Sequence, residues 1–171
     1  MRKLFESDLS SILGLTCWGA IGGEGTGSMI TLDFGDRIPV DPPLGNKALP
    51  NELRHFRGQY CIFVEGCSWR LEEKERIICS WGDEQDTIGK EVQRLVGCQL
   101  TKVELPHWTL DLKLSFDDQY LLYLFCDQTA GTLDNYSIRF PSGWYSVQPQ
   151  SKLNRESIEV ASTSASKKHA E

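Results

Sequence analysis

Two stretches of this chain run through the same succession of local patterns, and that repetition constrains the fold more than any other feature. Ser7-Asp-Leu-Ser-Ser-Ile-Leu-Gly14 and the longer run from Asp83 to Gly97 each read as a short helix that stops at a glycine. Ser7 and Asp83 (or Asp86) fit N-caps, and Gly14 and Gly97 fit C-terminal stops. In the second helix Ile88, Val92, Leu95 and Val96 fall on one face. A strand follows each helix, Leu15 to Ile21 and then Cys98 to Leu105. Next come Met29 to Asp36 and Thr109 to Asp118, which alternate apolar and polar residues as half-buried strands do. The spacing is 83 residues between Gly14 and Gly97 and 82 between Phe34 and Phe116. A third match aligns Tyr60–Trp69 with Tyr136–Trp144 and pairs the two tryptophans.

These patterns predict an α+β chain, mainly antiparallel β. The expected architecture is a sandwich or partly open barrel made of two similar helix-plus-β-meander halves. The halves are residues 5–82 and 83–148, packed as a single globular domain over 1–148, because neither carries enough strands to bury a core alone. Gln59–Glu65, Ser68–Leu71 and Glu75–Trp81 complete the strands of the first half. Gln119–Cys126, Tyr136–Phe140 and Gly143–Val147 complete those of the second. Residues 149–171 read as a mobile polar tail, with a short helix around Asn154–Val160. Pro39, Pro42, Pro43 and Pro50 make residues 36–50 a long, partly stiff loop, a length at which loops either carry function or cover a sheet edge.

Charge and cysteines then exclude whole classes of function. The net charge of −6 lacks the basic face that binding to DNA or RNA rests on. The longest apolar run, Tyr120 to Cys126, is far shorter than the ~20 residues a bilayer needs, and Glu6 and Asp8 break the apolar start. No membrane or secretion role is therefore expected, and the location expected is cytoplasmic. Six cysteines occur without a C-x-x-C, mostly inside strand-like runs, which reads as buried free thiols in a reducing compartment and not as a metal site.

Motifs for chemistry are sparse. There is no phosphate-binding loop, and the glycine-rich Ala20–Gly27 stretch joins two strands where no helix N-terminus follows. Neither a cofactor nor a metal is expected. A Cys–His pair such as Cys67 with His55 is arithmetically available, but nothing brings the two within hydrogen-bond reach. Asp33, Asp36, Asp111, Asp117 and Asp118 recur in both halves and could act as general acid and base, although solvated strand and turn positions account for them more simply.

The segments Trp69 to Asp83, Leu95-Val-Gly97 and Leu110 to Phe125 carry a resemblance. Over residues 58–147 the chain resembles a group of small bacterial β-rich proteins similar in style to the immunity proteins of toxin systems. That resemblance implies a non-catalytic protein-binding module of the antidote type. A protein partner, basic in charge, would be steered by the acidic body and anchored by an exposed aromatic ring. The residues expected to meet it are Trp81, Asp83, Glu84, Asp86, Trp108, Asp117 and Asp118. The alternatives are a small-ligand-binding β protein, or a hydrolase using acidic residues or cysteine.

Overall fold

Each half opens with a helix and a 3-10 turn, then turns at a glycine into strands. The computed structural model describes residues 1–47 and 49–158. The first half carries α1 (Arg2–Leu9), β1 (Cys17–Gly23), β2 (Gly27–Pro39), α2 (Asn51–His55), β3 (Phe56–Val64), β4 (Ser68–Glu73) and β5 (Arg76–Ser80). The second carries α3 (Gln85–Val92), β6 (Leu100–Glu104), β7 (Leu112–Phe116), β8 (Tyr120–Phe125), β9 (Tyr136–Phe140), β10 (Gly143–Gln148) and β11 (Lys152–Ser157). The chain is α+β and mainly antiparallel β, in two sheets that do not close into a barrel.

The halves exchange strands. One sheet runs β1-β2-β3-β9-β10-β11 and the other β5-β4-β8-β7-β6, so each mixes strands from both halves. The seam is a β-bridge between Thr16 and Gln99. Around it the Gly14 amide donates to the Leu100 carbonyl and the Gly97 amide to the Cys17 carbonyl, both at 2.8 Å. The Cys17 amide donates to Cys98 and the Leu100 amide to Leu15, both at 2.9 Å. The two bonds of each pair are twins, related by moving every residue to its counterpart in the other half. Gly14 and Gly97 sit at φ +81° and +91°, where a glycine bends the chain without the cost a Cβ brings.

The core lies between the inward faces. Leu32, Phe34, Ile62 and Ile138 from one sheet meet Leu71, Leu112, Phe116, Leu122 and Leu124 from the other, all fully buried. Each such side chain contributes about 1.5–3 kcal/mol by leaving water. Phe34 and Phe116 stack with centroids 6.3 Å apart, so one matched pair meets across the sandwich. The helices fill its flanks. Ile88, Val92 and Leu95 are buried where α3 and its 3-10 turn lie on β1. Phe5 of α1 packs on Tyr145 of β10 at 4.8 Å, and the Tyr145 hydroxyl donates to Asp8 at 2.6 Å.

Several expectations need correction. The first helix begins at Arg2, and Ser7 lies inside it. The N-cap of α3 is Glu84, while Asp83 accepts from the Ser80 amide at 2.7 Å and closes the turn after β5. Strand β2 runs on to Pro39, which sits opposite Phe56, and the loop after it contains the unexpected helix α2. The helix expected around Asn154 is instead the start of an extended segment. Residues 152–157 form β11, because β10 offers an unpaired edge that satisfies their backbone groups. Ser157 and Ile158 end what is described, and the remaining tail lies outside the described residues. The third sequence match is also out of step. By sheet position β4 and β5 correspond to β9 and β10, so Trp69 matches the buried Tyr136, and Trp144 lies on an outer face.

Candidate functional site

Antiparallel pairing sets side chains in rows across a sheet, and one outer row of the six-stranded sheet gathers groups that ordinary surfaces keep apart. Asp33, Cys61, Arg139 and Trp144 are successive cross-strand partners on β2, β3, β9 and β10. The neighbouring row is Thr31, Phe63 and Ser137. Arg57 joins from the start of β3. Thr31, Arg57, Cys61, Phe63, Ser137, Arg139 and Trp144 line an open cleft of about 270 Å³.

Asp33, expected at a solvated strand position, is only 3% exposed. Its burial follows from Gly19 beside it on β1. The missing side chain lets Leu53 of α2 settle over the sheet, where a Cβ on Gly19 would lie 2.8 Å from Leu53 Cδ2. The end of β2 and the residues after it hold α2 in place. The Val40 amide donates to the His55 carbonyl at 2.9 Å, the Leu44 amide to Arg54 at 2.8 Å, and Arg37 pairs with Glu52 at 2.6 Å. The proline-rich loop is thus tied over the outer face of β1 and β2. Burial pushes the Asp33 carboxyl above its usual range. The Gly58 amide donating at 2.7 Å, the Cys61 thiol and the Arg57 charge pull the other way.

Arg57 and Arg139 make no ion pair among the described residues. Desolvation and the charge of Arg139 both lower the Arg57 pKa. Arg139 lies over the Trp144 ring, 5.4 Å from its centroid. The outer face of the other sheet is a natural contrast. There Arg70 also meets aromatic rings, Tyr123 and Phe125, but it is neutralised by Glu72 at 2.5 Å.

The residues expected to meet a partner fall into three places. Trp81, Asp83, Glu84 and Asp86 form one exposed patch from the end of β5 to the first turn of α3, with Trp81 53% exposed. Glu24 joins it, lining with Gln85 and Asp86 the crevice between α3 and β1. Trp108, 78% exposed in the β6–β7 loop, stands at the same end of the five-stranded sheet. Three strands lie between β5 and β6, so four strand spacings, roughly 19 Å, separate the Trp81 edge of the sheet from the β6 edge beside Trp108. Asp117 and Asp118 lie at the opposite end, in the β7–β8 turn at φ +48° and +52°. Asp117 there accepts from the Gln99 amide at 3.0 Å, so it braces the seam between the halves.

The chemistry open to the cysteines is limited. All six are free. Burial pushes the thiols of Cys17 and Cys67 up to about 12 and that of Cys79 to about 11, and raises Cys61 and Cys126 further. A thiol so placed stays protonated and is a poor nucleophile. Asp111, another of the acids that recur in the two halves, accepts from the Cys126 amide at 2.9 Å and ties the start of β7 to the end of β8. Among the described residues no cluster of His, Cys, Asp and Glu could hold a metal ion, and no helix is long and apolar enough to cross a membrane.

Sequence reasoning missed Arg57 and Arg139 altogether. Arg139 was visible as the polar residue in Tyr136-Ser-Ile-Arg-Phe140, but only the strand order brings it beside Cys61 and near Arg57. Compared with protein-family models, curated proteins and solved structures, the chain matches none of them.

Proposed function

We propose that this chain is a non-catalytic protein-binding module of the antidote type, which docks a basic partner through the patch at the start of α3. One observation carries the reading: Trp81, half exposed, stands in one exposed run with Asp83, Glu84 and Asp86, Glu24 lines the crevice beside Asp86, and none of these acids has a basic partner among the described residues. An exposed indole among unneutralised carboxylates suits an anchor that a basic surface would cover. The acids would steer the encounter and the ring would slow dissociation. The protonated thiols favour a binding role over thiol catalysis, and six free cysteines fit a reducing compartment such as the cytoplasm. The twin hydrogen bonds at the seam support reading the two halves as copies of one unit.

The test is capture of partners from the host lysate, followed by binding kinetics with the purified partner. The reading expects an association rate that falls as salt rises toward about 0.5 M. Glu84→Lys with Asp86→Lys should slow association, and Trp81→Ala should speed dissociation. A partner whose rates ignore all three changes would refute this docking surface.

A further inference from the structure

We propose that the cleft on the outer face of the six-stranded sheet is a binding site for a carboxylate carried on a flat apolar body, such as a small aromatic acid. This goes beyond the protein-docking patch and lies on a different surface.

Charge is the first argument. Arg57 and Arg139 face one cleft without an ion pair, in a protein whose net charge is −6 and whose other arginines largely have carboxylates nearby. Two cations held close enough to depress the Arg57 pKa repel each other, and an anion between them relieves that repulsion. Asp33, the cross-strand neighbour of Cys61, offsets part of that charge when ionised, which suits a monoanion better than a phosphate dianion. The fork geometry of guanidinium suits the two oxygens of a carboxylate.

Shape and lining give the second argument. At about 270 Å³ the cleft is below the ~300–1,000 Å³ of sites for drug-sized ligands, so its occupant is small. Phe63 and Trp144 give its lining apolar surface, and Thr31 and Ser137 add hydroxyl groups to it. Arg139 is held over Trp144, which fixes its guanidinium without spending it on a carboxylate. The equivalent face of the other sheet carries the same stacking of arginine on aromatic rings but fills its charge with Glu72. The six-stranded face is therefore the one left incomplete.

The test titrates the full chain with benzoate, acetate, acetyl-glutamate amide and inorganic phosphate, read by tryptophan fluorescence and by the shift in Tm. Benzoate should give a saturable fluorescence change and raise Tm, with acetate and acetyl-glutamate amide at least about tenfold weaker. Arg139→Gln and Arg57→Gln should each weaken benzoate about tenfold or more. Lys113→Gln, on the other sheet, should leave it unchanged. Phosphate binding more tightly than benzoate would overturn the carboxylate assignment. Acetyl-glutamate amide matching benzoate would overturn the flat free acid and point to a protein side chain as the source. Benzoate binding that survives both arginine substitutions, or no binding by any of the four, would overturn the site itself.

Discussion

Replacing Gly23 by alanine should cost far more than the same change at Gly14 or Gly97, and the structure says by how much. All three glycines have positive φ, at +86°, +81° and +91°. Left-handed backbone costs an L-residue about 1–2 kcal/mol. Loss of glycine's freedom in the unfolded chain returns about 0.4–1 kcal/mol. Around Gly14 and Gly97 a new Cβ meets nothing within 4 Å, so the net cost is about 1 kcal/mol or less at each site, and similar at both. At Gly23 the new Cβ would lie 2.3 Å from the Gln85 carbonyl oxygen and 2.8 Å from the Gly89 amide. Those are backbone atoms of α3, which cannot rotate away, so the helix must lift off β1. Overpacking of this kind adds about 1–3 kcal/mol, for a total near 2–4 kcal/mol. Urea unfolding measures it. With a slope of about 2 kcal/mol/M, Gly23→Ala should lower the midpoint by roughly 1–2 M, against about 0.5 M or less for the other two. A Gly23→Ala midpoint equal to that of Gly14→Ala would refute the close seating of α3. Unequal costs at Gly14 and Gly97 would refute the equivalence of the two seam bends.

Other perturbations reach separate parts of the fold. The buried Tyr136 hydroxyl donates to the Leu110 carbonyl at 2.7 Å, and Leu110 itself sits at φ +65°, so Tyr136→Phe should destabilise by about 1–3 kcal/mol in the same urea assay. A thiol-reactive chromophore at pH 8 should react rapidly with all six cysteines in denaturant. In the native protein Cys17, Cys61, Cys67 and Cys126 should stay silent, because burial keeps those thiols protonated. The Asp33 carboxyl is raised by burial, so its contribution is favourable at low pH, while the group is protonated, and is lost as pH rises through its raised value. Asp33→Asn should therefore gain in Tm relative to the parent between pH 4 and pH 8, and an Asn variant equally impaired at both would contradict burial as the governing cause.

Much of the architecture was legible because each strand reports its own half-buried face. The alternation in Met29–Asp36 and the run Tyr120–Cys126 follow from local periodicity, and so do the two glycine bends. The strand exchange was not legible. Nothing local in Ser68–Glu73 says that it pairs with β8 of the other half, and the wrong match of Trp69 with Trp144 came from aligning by residue type where sheet position decides. Helix α2 was hidden for a related reason. Five residues behind a proline-rich loop carry little helical signal, and the segment is fixed by Leu53 over Gly19 and by Arg37 on Glu52. The cleft was invisible for the same reason as the exchange, since Arg57 and Arg139 become neighbours only when β3 and β9 pair.

That pairing of β3 with β9, and of β4 with β8, has a consequence for how the molecule holds together. Each half reaches into the other's sheet, so the two are clasped like interlaced fingers. The peptide link between Trp81 and Asp83 joins them in sequence but bears little of the load. Cutting it would leave both sheets complete and the core sealed, whereas either half by itself would keep only two or three strands of each sheet and leave much of each apolar face uncovered. The clasp also joins near and distant parts of the sequence. The meanders β1-β2-β3 and β6-β7-β8 pair strands that are neighbours in sequence, and each sheet is completed only by the long-range pairings of β9 with β3 and of β8 with β4.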